Sequence, residues 1–426
     1  MSRPSCIMNG MLRRTLSFSR DDYEANIWKS YVFQFLYSFQ LWWPIWVLYL
    51  TDYRGFSLTQ VGTLEALFWL VIILSQVPTG AIADRFGRKT SLMLAGGFTT
   101  AAILVFGIAA NYWIVLVSYV AWGVGLTFSS GADSALVFDS LKAVGRERDY
   151  QRVAGIGWGA LSLGTLAGLL AGAPVAAATN LAVPVVLSAV TCGLAIVVAA
   201  SFAEPPIHEG ERPGYRELIV ASGRTIWRSP SVRSMLLLAA LLMSSINATI
   251  IFSQPFLDQH DVSLRLLGVA QTPMRIAGII GALAAYRLTA SLGLRWTLVG
   301  TALITTASYA LLGGWDSVFA FSATVTILLA NGVIAPATTD YLNQRIPSAQ
   351  RATILSARQL IASIIIAAFL PGLGAIADRV SLRAVFWVSA AFLSVATPLA
   401  LALWLRADAD ERVEAVPVEA EPTAAS

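Results

Sequence analysis

Long apolar runs separated by short polar breaks dominate this chain, and they recur near the length of about 20 residues that a helix needs to cross a bilayer. Six such runs occupy 28–50, 58–80, 90–110, 113–138, 153–176 and 182–203. Six more occupy 232–257, 263–287, 295–313, 316–341, 352–376 and 382–405. The pattern predicts an all-α membrane protein with twelve transmembrane helices in two six-helix halves, residues 28–203 and 232–405. Between the halves, 204–231 is polar and carries Pro205, Pro206, Pro213 and Pro230, as a linker would. Within it, Tyr215 to Trp227 has the make-up of a short amphipathic helix on the membrane surface. Residues 1–27 form a tail. Residues 406–426, acidic and rich in Ala and Pro, are expected to be disordered.

Composition agrees with the pattern, since 56% of residues are hydrophobic and only 13% charged, with mean hydropathy +0.67. Cytoplasmic segments retain Lys and Arg. With both termini inside, 24 of the 29 basic residues fall in cytoplasmic segments, and of the rest only Arg275 lies within the membrane. The expected location is therefore the cell membrane, multi-pass, with both termini cytoplasmic. The net charge of +4 follows from this bias and does not point to nucleic acid. Cys6 and Cys192, one in a tail and one in an apolar run, give neither a disulfide framework nor a metal site. No phosphate-binding G-x-x-x-x-G-K-[ST] occurs, and the two histidines, His208 and His260, lie in predicted loops. An enzyme and a resident cofactor are not expected.

The segment GAIADRFGRK, Gly80 to Lys89, joins the second and third runs. It meets every position of G-x-x-x-D-R-x-G-R-K and resembles the signature between helices 2 and 3 of the major facilitator superfamily of transporters. The resemblance implies the two-half fold, a monomer, and a loop that stabilises the outward-facing state. Gly80 would let two helices approach closely, and Asp84 would face the positive N-terminal end of the eleventh helix, near Ser348. Arg85 and Arg88 would pair with Asp139, at the cytoplasmic end of helix 4. Gly80, Asp84, Arg85, Gly87, Arg88, Lys89 and Asp139 are thus the candidate conformational latch. GAIADR recurs at Gly374–Arg379 on the predicted outer side, either as a helix-ending turn or as an outer latch. In helix 5, Gly155, Gly164, Gly168 and Gly172 resemble a motif of drug–proton antiporters. The sequence departs from it at Leu169 and Ala173, and close helix packing explains spaced glycines equally well.

Ionisable residues at membrane depth are costly and mark functional sites or ion pairs. Glu65 and Asp133 are the candidate proton carriers, and Arg275 could pair with Asp133 or hold an anionic substrate. Arg358 is a further candidate near the interface. In helix 1, Tyr31, Phe35, Phe39 and Trp42 recur at helical spacing and define, with Gln34, an expected cavity wall. Trp158 and Asn247 are additional candidates. These residues point to a secondary transporter using a proton gradient, with export of an amphipathic drug or metabolite as the leading reading. Uptake of a small nutrient or organic anion is its alternative.

Overall fold

The computed structural model describes residues 19–205 and 215–414. Helix α1 (Arg20–Ser38) opens on a capping box, with Ser19 accepting the Asp22 N–H and Asp22 reaching back to Ser19. The chain leaves the helix over 39–45, resumes as the short turn α2 (Trp46–Leu48), and runs into a π-helical turn, Tyr49–Tyr53. Next come α3 (Leu58–Phe86), α4 (Arg88–Ile108), α5 (Tyr112–Ser129), α6 (Ala132–Ala143), α7 (Tyr150–Ala178) and α8 (Ala182–Ala200). The linker holds α9 (Tyr215–Arg228), close to the amphipathic helix expected there. The second half contains α10 (Pro230–Gln259), α11 (Leu267–Gly314), α12 (Ser322–Arg345), α13 (Arg351–Arg379) and α14 (Leu382–Glu414).

Ten helical segments among the described residues are long and apolar enough to cross a membrane. One of them contains α11, which Gly293 divides into two rods through its φ of 76° and ψ of 156°. The count of ten neither divides that segment at Gly293 nor includes the interrupted stretch 20–53, the two places where it falls short of the twelve expected. Helix α11 also fills the break expected between the runs 263–287 and 295–313, because only Gly293 leaves helical geometry there. Similarly, Gly80 to Phe86 is not loop but the end of α3, and only Gly87, at φ 96°, turns the chain. Helix α14 continues to Glu414, so part of the tail expected to be disordered is helical; residues 415–426 lie outside the described residues. Helix α1 likewise begins at Arg20, within the stretch 1–27 expected as a tail.

The interruption at 39–45 exposes backbone groups that a membrane interior cannot hydrate, so the protein must satisfy them itself. Side chains do this from three helices. On α8, the Ser188 hydroxyl accepts the Leu41 N–H at 2.8 Å and the Thr191 hydroxyl donates to the Phe39 carbonyl at 2.7 Å. From the second half, Gln254 on α10 accepts the Val47 N–H at 2.8 Å and donates to the Trp43 carbonyl at 3.0 Å. Gln271 on α11 donates to the Pro44 carbonyl at 2.9 Å. Three of the four spaced glycines of α7 lie under the same segment. Gly164, Gly168 and Gly172 bring α7 against the carbonyls of Phe35, Gln40 and Leu41, where a Cβ has no room. Gly155 meets open space.

One apolar cluster joins the halves, uniting Trp42, Phe106 and Tyr119 with Ile251, Phe252 and Phe386. Arg20, Lys89, Glu204, Arg345 and Glu411 gather on the face where the described chain starts and stops, called here the terminal face. Asn26 ties that end of the first half together by donating to Ser140 Oγ at 2.9 Å and to the Ala203 carbonyl at 2.8 Å. Glu411 does the same for the second half, accepting from Ser229 Oγ and the Ser231 N–H at 2.9 and 3.0 Å.

Candidate central cavity and helix-end latches

A cavity of about 390 Å³ lies between the halves, within the size range of small-molecule sites. Aromatic side chains form much of its wall, among them Trp42, Trp43, Trp46, Phe68, Trp69 and Trp122. Trp122 meets Trp42 edge-on at 5.0 Å and lies 4.6 Å from Phe68, so the rings brace one another. Glu65 from α3, Asp133 from the first turn of α6 and Arg275 from α11 line this same space, with Gln34 and Asn247. No pair of these charged groups comes within 4.0 Å. Asp133 accepts the Ser134 N–H at 2.6 Å, and the Arg275 guanidinium lies 5.3 Å from the centre of the Trp43 ring as a cation–π contact. Of the alternatives open for Arg275, an ion pair with Asp133 is not formed in this state. The indole N–H groups of Trp42, Trp46 and Trp69 are buried and have no hydrogen-bond acceptor among the described residues.

Six predicted residues, Gln34, Trp42, Glu65, Asp133, Asn247 and Arg275, are brought together here. Tyr31, Phe35 and Phe39 are not in the wall. Their shared face assumed an unbroken helix, whereas helical geometry ends at Ser38 and the register changes before Trp42. Phe35 and Phe39 stack on each other at 5.7 Å, and Tyr31 packs beside Val137, Leu141 and Val153. Phe33 and Tyr37, on a different face, line the cavity instead. Arg358 also lies elsewhere, bonding Thr338 and Thr339 hydroxyls at 3.2 and 2.9 Å and so joining α13 to α12. Trp158 is 68% exposed and borders a separate cleft of about 710 Å³ with Asn331, Thr339, Asp340 and Asn343. That cleft separates the halves toward the terminal face.

The signature segment has a different set of partners from those expected. Asp84 pairs with Arg88 at 2.8 Å and is 54% exposed, Arg85 stacks on Phe86 at 5.4 Å, and Asp139 makes no ion pair among the described residues. Gly80 meets no atom within 4 Å of where a Cβ would stand, so it provides no close helix approach here. The physical reason is the separation of the halves at this face. Gly87 has a clear role, because its φ of 96° disfavours a side chain and a Cβ would stand 2.6 Å from the Glu204 carboxyl carbon. Glu204, which sequence reasoning missed, accepts the Arg88 and Lys89 N–H groups at 2.6 and 2.8 Å. The signal was a helix starting on glycine, which has no side chain to cap it. Burial pushes the Glu204 carboxyl above its usual range despite the pull of these amides.

At the opposite face the halves touch. The Asp378 carboxylate on α13 accepts the Leu58 N–H at 2.9 Å, the Thr59 N–H at 2.8 Å and the Thr59 hydroxyl at 2.6 Å. Two helical halves, a cavity between them closed toward one face, and the signature segment at the other form a transporter's arrangement. The profile of the Major Facilitator Superfamily matches residues 31–289, more than half of the chain. The chain belongs to this superfamily. It is a secondary transporter by family, and not an enzyme. The nucleoside transporter NupG superposes with a TM-score of 0.74 at 9% identity, covering 90% of this chain and 99% of that one. A bacterial homologue of the human lysosomal transporter Spinster, in an inward-facing and unoccupied conformation, superposes with a TM-score of 0.67 at 18% identity, over 92% and 99% of the two chains. At such identities the likeness is one of fold. An uncharacterised MFS-type transporter of Bacillus subtilis (strain 168), YxaM, is 27% identical over 89 residues. That match spans 21% of this chain and 22% of the relative.

Proposed function

We propose that this superfamily member exports an amphipathic aromatic small molecule in exchange for protons across the cell membrane, with its terminal face cytoplasmic. The observation that carries this reading is the placement of Glu65 and Asp133 in one aromatic-walled cavity with no cation paired to either. A carboxylate at membrane depth without a fixed counter-ion suits a group that gains and loses a proton as access alternates. The tryptophan walls supply apolar contact for an aromatic substrate. With the terminal face inside, the positive-inside distribution of Lys and Arg is met, and the cleft beside Trp158 is the route from the cytoplasm.

Arg275 favours a second reading, uptake of an organic anion together with a proton. Its charge is permanent and has no carboxylate partner, so a bound anion would complete it. The deciding experiment is expression in a bacterial host stripped of its own efflux pumps, with susceptibility measured across lipophilic compounds. Export predicts protection that falls about tenfold in Glu65→Gln or Asp133→Asn, an effect of ~1.4 kcal/mol. Full protection in both variants rules out the two acids as proton carriers. Absence of protection, with Arg275-dependent accumulation of a labelled aromatic carboxylate, establishes uptake instead.

A further inference from the structure

Helices α3 and α13 are each 29 residues long and each carries GAIADR near its C-terminal end, Gly80–Arg85 on one and Gly374–Arg379 on the other. They run antiparallel, since a Cβ added at Gly62 would stand 2.5 Å from the Leu370 carbonyl oxygen and one added at Gly374 would stand 2.3 Å from the Leu58 carbonyl oxygen. Each helix therefore presents its N-terminus to the hexapeptide of the other. Only the Gly374–Arg379 copy is closed. Its glycine is filled by the backbone of α3, whereas Gly80 of the first copy faces open space.

We propose that Asp378 and Thr59 form a latch, specific to the state open at the terminal face, that is broken whenever transport requires the opposite face to open. This goes beyond the choice of substrate and coupling ion, because it concerns the resting balance between two states. The chemistry is a divided helix cap. Ser57, the N-cap of α3, satisfies the Gln60 N–H with its own hydroxyl. The Leu58 and Thr59 N–H groups, ahead of it in the first turn, are satisfied by the two oxygens of Asp378 from the other half. The carboxylate also meets the positive end of the α3 dipole. These groups lie at an exposed helix end, so water replaces the cap when the halves part there. The latch thus closes without creating a buried unpaired group on opening. Thr59 adds the bond that selects this geometry, its hydroxyl donating to the same oxygen that accepts its own N–H.

The test uses the full chain with Cys6 and Cys192 replaced and spin labels at Lys142→Cys and Gln344→Cys, one on each half at the terminal face. Double electron–electron resonance then reads the populations of long and short separations. Asp378→Ala is expected to move the ratio of long to short about tenfold toward short, and Thr59→Val by a smaller step in the same direction. A lowered melting temperature with an unchanged distance distribution would make Asp378 an ordinary helix cap and overturn the proposal. Should Asp378→Ala fail to fold, Thr59→Val decides alone: an unshifted ratio overturns the latch, a shift toward short separations supports it.

Discussion

At the scale of single residues, Glu204 shows how one half-buried carboxyl links helix capping to pH. It satisfies two amides at the start of α4, yet burial raises its proton affinity above that of an exposed glutamate. Because the folded-state pKa is raised, this group's contribution to stability is fully present below the ordinary carboxylate range. It is lost as pH rises through the raised value. The melting temperature of the native protein in detergent, taken relative to Glu204→Gln, is therefore expected to fall as pH rises through that window. Comparing the two proteins cancels titrations elsewhere; a difference that grew with pH would show that the amide bonds outweigh burial. Gly87 stands beside this group for two reasons at once, its positive φ and the absence of room for a Cβ.

At the scale of elements, the first crossing segment is where physical logic departs most from periodicity. Gln254 is 1% exposed and serves both a backbone N–H and a backbone carbonyl of the interruption. Replacing it with Met keeps much of the volume and removes both bonds. Leaving a buried polar group unmade costs about 1–3 kcal/mol, so Gln254→Met is expected to destabilise the folded protein by roughly 2–4 kcal/mol in equilibrium unfolding. No loss would mean that water reaches the interruption. Pro44, which lacks an N–H to give, was a sign of a break that the run 28–50 was read across. Its consequence for phase was not visible: with α1 ending at Ser38, Phe33 and Tyr37 reach the cavity while Phe35 and Phe39 stack apart. Glu65, Asp133 and Arg275 were legible because a charge inside an apolar run is conspicuous in any register. Contacts such as Asp378 with Thr59 were not, because sequence does not say which helix ends meet. Glycine at 80 and at 374 looks identical in sequence, and only the packing tells the closed copy from the open one.

At the scale of the molecule, one arrangement of faces has to account for charge, closure and access together. Lys and Arg concentrate on the terminal face, the inter-half latch is made at the opposite face, and the cleft beside Trp158 opens away from it. If the terminal face is cytoplasmic, the protein rests open to the cell interior, and a hydrophilic thiol reagent should find the cleft only from that side. Single cysteines at Trp158, 68% exposed, and at Asp316, whose side chain is 62% exposed near Arg383 at the other end, separate the possibilities. In intact cells a membrane-impermeant maleimide should label Asp316→Cys and spare Trp158→Cys, and in inside-out vesicles the pattern should reverse. Labelling of Trp158→Cys alone in intact cells would invert the topology and turn the latch at Asp378 into a cytoplasmic one. Labelling of both sites from outside would leave the topology in place but show the halves parting at the Asp378 end, which a closed latch forbids.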